Sequence, residues 1–419
     1  MQMRTRYLII GNSAGGIGAA EAIREKDRKG SLTIVSDEAV PAYSKPLISK
    51  YLSGERTIEN ILYRPAEFYE RNNITFLSGE KITRLEIGSK TAHCEDGKLI
   101  QWEKLLLATG GKPIIPGIKG LDKEGVFTFT SLGDVMAINK SLTRGQKAVI
   151  IGGGLIGVSA SEALFKRGVD VTVVEMKDRV LNTILDEHTS FLAEKAFRKA
   201  GIKVITGHTV VEVSGDDSIT EAILDDGATI PCDLVIVAIG VLPQLVLASN
   251  TEIKINRGVV VDRYMSTTCL NIYACGDVSE SYDPVYDENR VIPVWPNAYM
   301  GGRVAGFNMA GVRTEYPAST SLNSLNYFGI DIVSAGLVTS PGEDYEVITR
   351  QENDMYKKVI LKNGLISGLI FAGAIEQSGI LFDLMKNKVP VEEFKQALLS
   401  DDFGLASLPQ KLWKEKLQT

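Results

Sequence analysis

Two glycine-rich turns carry the residues best suited to chemistry in this chain, and the chemistry they suit is the binding of nucleotide phosphates. The first turn, Gly11 to Gly16, reads G-x-S-x-x-G, and the second, Gly152 to Gly157, reads G-x-G-x-x-G. Backbone N–H groups at a helix N-terminus stabilise a phosphate, and small residues let a pyrophosphate approach the backbone. The turn residues predicted to bind nucleotides are Gly11, Ser13, Ala14, Gly16, Gly152, Gly154, Leu155, Ile156 and Gly157.

Acidic residues follow each turn at roughly the 20-residue distance of a ribose-binding carboxylate. Asp37 and Glu38 follow the first turn, and Glu175 follows the second. Glu175 is expected to accept a hydrogen bond from a ribose 2′-hydroxyl and to repel a 2′-phosphate. The second site is therefore predicted to bind NAD(H), with NADP less favoured, although Lys177 and Arg179 could still attract a phosphate.

The elements around the two turns form an internal repeat of a whole domain. An apolar strand precedes each turn, and helices are predicted over Ile17 to Arg28 and Val158 to Arg167. Further downstream each copy has a second apolar strand that ends in small residues, with a proline three positions after its glycine. Two such units call for two nucleotides. The strand-end residues predicted to line these sites are Thr109, Gly110 and Gly240.

The bulk properties narrow the class of protein. A length of 419 residues allows two or three domains, and a net charge of −6 argues against a nucleic-acid or anionic-membrane surface. The four cysteines form no C-x-x-C pair, so no metal or iron–sulfur site is expected. No apolar run has the length of a membrane span. The two glycine-rich turns are dinucleotide-binding fingerprints, and the first fingerprint explains residues 1–20 better than a signal peptide does. A cytoplasmic location is expected.

Other residues are candidates for holding a flavin. Lys45 and Lys50 could reach a pyrophosphate and the isoalloxazine edge, or be ordinary solvated lysines. Asp277 ends a predicted strand and could hold ribityl hydroxyls. A helix predicted over Ala298 to Ala310 would stabilise the negative charge of a reduced flavin if its N-terminus points there, or would simply be a close-packed helix. The residues predicted at that N-terminus are Trp295, Asn297 and Ala298.

With these landmarks, the chain resembles the pyridine nucleotide–disulfide oxidoreductase family along nearly its whole length. The motifs that carry the resemblance are Gly11 to Gly16, Leu106 to Gly111, Gly152 to Gly157 and Tyr273 to Asp277. The resemblance implies FAD in the first domain, NAD(P)H in the second and a C-terminal interface domain.

The predicted fold class is α/β. It comprises two Rossmann-like three-layer nucleotide-binding domains, arranged as in glutathione reductase, and a small C-terminal α+β interface domain. That last domain is expected to end in helices Ile380 to Asn387 and Val391 to Leu399. The predicted boundaries are 1–115 with 245–315 for FAD, 116–244 for NAD(H) and 316–419 for the interface domain.

Within the family, Tyr43 to Lys50 looks like the R-P-x-L-S-K segment of rubredoxin and ferredoxin reductases and of apoptosis-inducing factor. The resemblance assigns Lys45 to the FAD phosphates, Lys50 to a catalytic position near flavin N5, and Lys81 with Ile82 to the adenine. The stretch Leu322 to Asp331 looks most like the flavin module of NAD(P)H nitrite reductase large subunits.

The chain also departs from the family pattern. Pro46 stands where disulfide reductases carry a redox cysteine, and no histidine follows His208. Ser159 replaces a helix glutamate that often pairs with the N5 lysine, and Glu162, one turn later, is a candidate substitute. A thiol-disulfide reductase is therefore disfavoured.

The predicted function is that of an FAD-dependent NAD(H) oxidoreductase that exchanges electrons with a separate iron–sulfur protein of ferredoxin or rubredoxin type. Hydride transfer at flavin N5 would be followed by single-electron steps. The alternatives are a cysteine-free NADH oxidase that produces peroxide and a non-catalytic, NADH-responsive redox sensor. The protein could be a homodimer or a subunit of a larger redox complex. Its basic segment Gln410 to Lys416 could dock the partner or be a solvated helix end.

Overall fold

The computed structural model describes residues 2–410, and contacts divide them into two units. The first unit comprises residues 2–116, 127–144 and 239–319, and the second comprises 117–126, 145–238 and 320–410. Each unit is thus assembled from segments that lie far apart in the sequence. The finer division into FAD-binding, NAD(H)-binding and interface domains stays a prediction.

The secondary structure alternates strands and helices through both units. The helices are α1 (Ala14–Lys26), α2 (Ile48–Leu52), α3 (Phe68–Arg71), α4 (Leu132–Ser141), α5 (Leu155–Lys166), α6 (Glu187–Ala200), α7 (Trp295–Met309) and α8 (Ser378–Lys386). The strands are β1 (Gln2–Ile10), β2 (Leu32–Ser36), β3 (Ile74–Ser78), β4 (Ile82–Glu86), β5 (Thr91–Cys94), β6 (Leu99–Leu107), β7 (Gly111–Pro113), β8 (Val126–Thr128), β9 (Lys147–Ile151), β10 (Asp170–Glu175), β11 (Lys203–Thr206), β12 (Val210–Ser214), β13 (Glu221–Leu224), β14 (Thr229–Pro231), β15 (Leu234–Val237), β16 (Val241–Pro243), β17 (Val259–Val260), β18 (Ile272–Ala274), β19 (Ser279–Asp283), β20 (Glu288–Arg290), β21 (Leu322–Tyr327), β22 (Ile330–Gly336), β23 (Glu346–Glu352), β24 (Met355–Lys362) and β25 (Leu365–Ala372). Short 3₁₀ turns cover Lys45–Leu47, Glu59–Ile61, Gly276–Val278, Glu392–Ala397 and Leu405–Ser407.

A seven-stranded sheet organises the first unit, in the order β3-β2-β1-β6-β5-β4 with β18 also paired to β6. Strand β1 runs parallel to β2 and β6, and Ile9 lies opposite Ile34 and Leu106. All three side chains are buried, as expected for parallel strands covered on both faces. Because β18 is also parallel to β6, the carboxyl ends of β2, β1, β6 and β18 lie at one edge. That edge is where open α/β sheets bind ligands.

Helices α1 and α7 approach each other closely at glycines. We call this contact the glycine seam; its residues are Gly15 and Gly18 on α1 and Gly302 and Gly306 on α7. A methyl group on Gly302 would overlap the carbonyl oxygen of Gly15, and one on Gly306 would overlap that of Ala19. The absence of side chains at these glycines therefore allows α7 to pack closely on α1. It also brings the first turns of both helices together.

Three sheets belong to the second unit, apart from the last two residues of β8. The first has the order β11-β10-β9-β15-β8, with β9 parallel to β10 and β15, so β9-α5-β10 repeats the arrangement β1-α1-β2. The second is the antiparallel sheet β12-β13-β14, and the third is the antiparallel sheet β21-β22-β25-β24-β23, against which α8 packs. Together with the first unit, these sheets confirm the predicted fold class.

The repeat predicted from the two strand ends has a structural counterpart in the first unit. Strands β7 and β16, which follow the two small-residue strand ends, pair with each other antiparallel, with Val241 opposite Pro113. The Gly110 carbonyl oxygen accepts a hydrogen bond from the Gln244 N–H at 2.8 Å. The two copies of the motif therefore meet, although about 130 residues separate them in the chain.

Some predicted helix bounds differ from those observed. Helices α1 and α5 begin at Ala14 and Leu155, earlier than predicted, because fingerprint residues form their first turns. The α-helix predicted over Val391 to Leu399 is wrong: the segment forms a 3₁₀ turn, interrupted at Phe394 with φ of −133°.

Of the predicted basic segment Gln410 to Lys416, only Gln410 lies within the described residues. In residues 2–410, no helix has both the length and the apolar character to cross a membrane.

We expect Gly302→Ala to destabilise the protein by about 1–3 kcal/mol, because the added methyl group overlaps backbone that cannot move aside without separating α1 from α7. Gly379→Ala in α8 is the matched control, since its added methyl group meets nothing within 4 Å. Thermal unfolding of the two variants measures the difference. Equal melting temperatures would contradict the importance of the seam.

Candidate cofactor-binding sites

The first fingerprint turn leaves backbone N–H groups facing a potential anion. Gly11 has a φ of +115°, and a side chain there would overlap the Ala108 carbonyl oxygen. Ser13 caps α1 without a side-chain hydrogen bond, and the first helical bond runs from the Ile17 N–H to the Ser13 carbonyl oxygen at 2.9 Å. The N–H groups of residues 14–16 therefore precede that bond, which is the arrangement that accepts a phosphate.

A hydrogen-bonded tyrosine ties this turn to the loop after β2. The buried Tyr69 hydroxyl donates to Asn12 Oδ1 and accepts from the Ala42 N–H, each at 2.9 Å. The Tyr69 ring stacks on Phe76 with centroids 4.2 Å apart. Sequence reasoning missed this role of Tyr69, because no spacing rule connects a residue in α3 with a fingerprint turn.

The two carboxylates predicted for the first ribose have different surroundings. Glu38 Oε2 accepts a hydrogen bond from the Tyr43 hydroxyl at 2.8 Å, and Glu38 Oε1 lies 4.0 Å from Lys45 Nζ. The Tyr43 hydroxyl also accepts from the Leu132 N–H at 3.0 Å, so Glu38 belongs to a bonded network. Asp37 is exposed at the end of β2. Glu38 keeps further lone pairs and Asp37 is exposed, so the ribose contact stays a prediction for both carboxylates.

Asp277 and Lys45 act on each other although 232 positions separate them. Asp277 lies in the 3₁₀ turn after β18, where burial raises the pKa of its carboxyl group and the positive charge of Lys45 opposes that rise. A buried carboxylate that feels a positive charge is suited to accept hydrogen bonds from the hydroxyl groups of a ligand. This pairing fits the predicted flavin site.

The N-terminus of α7 completes that site from a third segment. Trp295 begins the helix, and the Asn297 side-chain oxygen accepts a hydrogen bond from Ser319 Oγ at 2.8 Å. A methyl group on Gly276 would lie 3.3 Å from the Ala298 side chain, and one on Gly15 would lie 3.3 Å from its carbonyl oxygen. The first turns of α1 and α7 and the 3₁₀ turn of Asp277 are therefore in contact.

Several other predicted residues lie around this edge. Thr109 Oγ1 donates to the Gln244 carbonyl oxygen at 3.1 Å, while Gly110 and Gly240 have positive φ of +67° and +120°. Ile82 is buried at the start of β4, and Lys81 Nζ lies 3.2 Å from Glu95 Oε1 on the surface.

The polar groups assigned to the N5 position have partners within their own units. Lys50 Nζ lies 3.2 Å from Glu55 Oε2 in the first unit. In the second unit Glu162 Oε1 lies 3.2 Å from Lys166 Nζ, and Ser159 Oγ lies 2.6 Å from the Tyr327 hydroxyl. The catalytic role of Lys50 stays a prediction.

The second fingerprint repeats the geometry of the first. Gly152 has a φ of +105°, and a side chain on Gly157 would overlap its carbonyl oxygen. Gly154 caps α5, and nothing lies within 4 Å of the position where its side chain would be. The N–H groups of Leu155, Ile156 and Gly157 precede the first helical bond, from the Val158 N–H to the Gly154 carbonyl oxygen. The turn thus offers donors beside open space.

Glu175 has a structural role that the sequence did not reveal. Its Oε2 accepts from the Gly153 N–H at 2.6 Å, and its Oε1 accepts from the Lys177 N–H at 2.8 Å. The carboxylate therefore braces the glycine turn. Each carboxylate oxygen keeps a second lone pair, so the predicted ribose contact remains compatible with these bonds.

The cysteines are poor nucleophiles. Burial raises the pKa of Cys94 to about 11 and the pKa of both Cys232 and Cys275 to about 12, and it also raises the pKa of the partly buried Cys269. A thiol attacks a disulfide or binds a metal as the thiolate, which these pKa values disfavour near neutral pH.

Residues 5–302 match the pyridine nucleotide-disulphide oxidoreductase family, and residues 322–389 match the rubredoxin NAD+ reductase C-terminal domain. The chain belongs to the pyridine nucleotide-disulphide oxidoreductase family. The resemblance stated from the sequence is therefore confirmed.

Two relatives and one solved structure show the extent of the similarity. The chain is 30% identical to the NADH-dependent phenylglyoxylate dehydrogenase subunit epsilon of Aromatoleum evansii over 98% of both chains. It is 30% identical to the NAD(P)H nitrite reductase of Bacillus subtilis over 93% of this chain but 48% of that protein, so it spans about half of that relative. The covalent putidaredoxin reductase–putidaredoxin complex shares the fold, with a TM-score of 0.88, 24% identity and 99% of both chains covered.

Membership in this pyridine nucleotide-disulphide oxidoreductase family implies FAD and NAD(P)H as cofactors and NAD(P)H-dependent flavoprotein oxidoreductase chemistry. The residues in place fit both groups: each glycine turn offers backbone N–H groups that precede the first helical bond, and the largely buried Asp277 feels the positive charge of Lys45. The assignment of individual residues to the cofactors stays a prediction.

We expect the affinity of the apoprotein for FAD to fall as the pH falls through the pKa of Asp277, because the protonated carboxyl group is a weaker acceptor for ribityl hydroxyls. In Lys45→Met the fall should begin at a higher pH, since loss of the ammonium group raises the pKa of Asp277 further. Fluorescence titrations with FAD over a pH series measure both midpoints. Lys29→Met is the control, and identical midpoints in the Lys45→Met and wild-type proteins would contradict the coupling.

Proposed function

We propose that the protein is an FAD-dependent oxidoreductase that exchanges electrons between NAD(H) and a separate iron–sulfur protein of ferredoxin or rubredoxin type. The observation that carries the proposal is Pro46, which stands in the flavin-site segment where a redox thiol would otherwise receive electrons. Cys94, Cys232 and Cys275 are buried and Cys269 is partly buried, and burial raises the pKa of all four thiols, so none offers a substitute. Electrons must then pass to an external acceptor.

The comparisons support this acceptor class. Residues 322–389 match a domain named for rubredoxin reductases. The structure that shares the fold at a TM-score of 0.88 is a reductase in covalent complex with putidaredoxin. The relative from Aromatoleum evansii is named as a subunit of an NADH-dependent dehydrogenase, which supports the proposal that this chain can also serve within a larger redox complex.

The protein's own residues bind and orient the cofactor. FAD, when bound, takes up two electrons as hydride and can release them singly. The N–H groups of residues 14–16 and the ammonium group of Lys45 would hold its phosphates, and Asp277 would hold its ribityl chain. The N-terminal dipole of α7 would stabilise negative charge at the flavin ring. Lys50 is proposed to lie near N5.

The second site is proposed to prefer NAD(H) over NADP(H). The Glu175 carboxylate is buried at the end of β10 and held by two backbone N–H groups, so its negative charge is fixed beside the turn. A 2′-phosphate placed there would meet like charge. The cytoplasmic location also remains a proposal.

Anaerobic stopped-flow reduction of the FAD-loaded protein by NADH, followed by oxidised ferredoxin, tests the proposed function. We expect rapid bleaching of the flavin and rapid reoxidation by ferredoxin. Reoxidation only by O₂, with peroxide formed, would instead favour the NADH oxidase. Slow bleaching that leaves a persistent long-wavelength band would favour the redox sensor.

Coenzyme preference has its own test. The wild-type protein should favour NADH over NADPH in kcat/KM, and Glu175→Ala should shrink that ratio by about tenfold or more, because a repulsion worth roughly 1.4 kcal/mol is removed. The ratio is the readout, since loss of the brace on Gly153 lowers activity with both coenzymes. Glu187→Ala, an exposed acidic residue in the first turn of α6, is the control. An unchanged ratio in Glu175→Ala would exclude Glu175 as the selective group.

A further inference from the structure

A groove of about 750 Å³ in the first unit is lined by guanidinium groups, and we call it the arginine groove. It is formed by α1, by the α3 region and by α7. Its arginines are Arg24, Arg28, Arg64, Arg71 and Arg303. Two carboxylates, Glu21 and Glu25, also line it, so positive charge is in excess there although the whole chain carries −6.

Three of the arginines are used to build the groove. The buried Arg24 donates to four backbone carbonyl oxygens, including those of Asn72 and Asn73 at 2.6 and 2.8 Å. Arg64 Nε donates to Glu21 Oε1 at 2.7 Å, and Arg303 lies 2.9 Å from Glu25 Oε1. These bonds fix the walls and neutralise the two carboxylates.

The other two arginines provide the free charge. Arg28, which follows α1, and Arg71, at the end of α3, are both exposed. Within residues 2–410 neither guanidinium forms an ion pair or a side-chain hydrogen bond. Arginine presents a planar fork that suits carboxylates in pairs of hydrogen bonds, and its ordering costs less per bond than that of lysine. Two such groups beside a preformed groove suit an acidic protein surface.

Aromatic contacts connect the groove with the flavin end of α7. Tyr299 lines the groove, and its ring lies 6.2 Å from that of Tyr63, which in turn lies 5.2 Å from the Trp295 ring. Along the axis of α7, Tyr299 is about 6 Å from Trp295. The rings of Tyr299 and Tyr63 thus form a contact path from the groove to Trp295, which is one of the residues predicted at the flavin.

We propose that the arginine groove is the docking surface for the iron–sulfur carrier, with Arg28 and Arg71 receiving carboxylates on its acidic face. This inference rests on the proposed function and adds the surface at which the carrier binds. Charges at the rim of an interface act mainly on the rate of encounter and its salt dependence. Mixed arginine and aromatic linings are also typical of protein interfaces.

The test uses the FAD-loaded protein, NADH as donor and an acidic [2Fe–2S] ferredoxin as probe. The double variant Arg28→Glu/Arg71→Glu should raise the KM for ferredoxin by about tenfold or more and flatten its dependence on salt. NADH reduction of the flavin, and turnover with the uncharged acceptor menadione, should not change. Arg257→Glu is the matched control, because Arg257 is exposed in the same unit and does not line the groove.

The outcomes separate the two proposals. If the wild-type protein reduces ferredoxin and the double variant does so with the same KM and salt dependence, the docking inference is wrong and the proposed function stands. If the wild-type protein reduces no iron–sulfur protein, the proposed function fails, and the docking inference fails with it. An equal loss in Arg257→Glu would show a general charge effect and would also overturn the inference.

Discussion

The close approach of α1 to α7 through the glycine seam is the constraint on which the rest of the first unit depends. Only hydrogen atoms fit between Gly302 and the Gly15 carbonyl oxygen. Because the helices touch there, their first turns lie together, and with them lies the 3₁₀ turn that carries Asp277. Two helix N-termini directed to one edge of a sheet create a site for negative charge, which is what pyrophosphate and a reduced flavin require.

Positive charge is concentrated locally in this protein, although its net charge is negative. The chain is acidic as a whole, yet cations concentrate at Lys45 and in the arginine groove. Single carboxylates restrain neighbouring loops: Glu38 accepts from the Tyr43 hydroxyl, and Glu175 accepts from the Gly153 N–H. A protein of this kind would repel acidic macromolecules in general and admit one at a defined surface, which favours a specific carrier over an unspecific one.

The thiol chemistry after which the family is named depends on one position here. The fold, both glycine turns and the Tyr273-to-Asp277 motif are those of the family, but a proline occupies the place of the redox cysteine. The four cysteines pack within or against hydrophobic cores. The Cys275 sulfur, for example, lies next to Gly15. The same scaffold can therefore lack a thiol at this position without a change of fold, because function resides in a few site residues and not in the fold.

The sequence alone determined the fold class, the internal repeat, the family and the two fingerprints, because glycine spacing and strand–turn–helix order are local properties that follow from backbone sterics. It failed at Val391 to Leu399, where helical spacing was overridden by a 3₁₀ turn. The tertiary structure alone decided how distant segments meet: Tyr69 with Asn12, the first turn of α7 with the 3₁₀ turn of Asp277, and Arg28 with Arg71 in the lining of one groove. Such contacts depend on how sheets and helices pack, and no local pattern in the sequence encodes the distance between residues that only packing brings together.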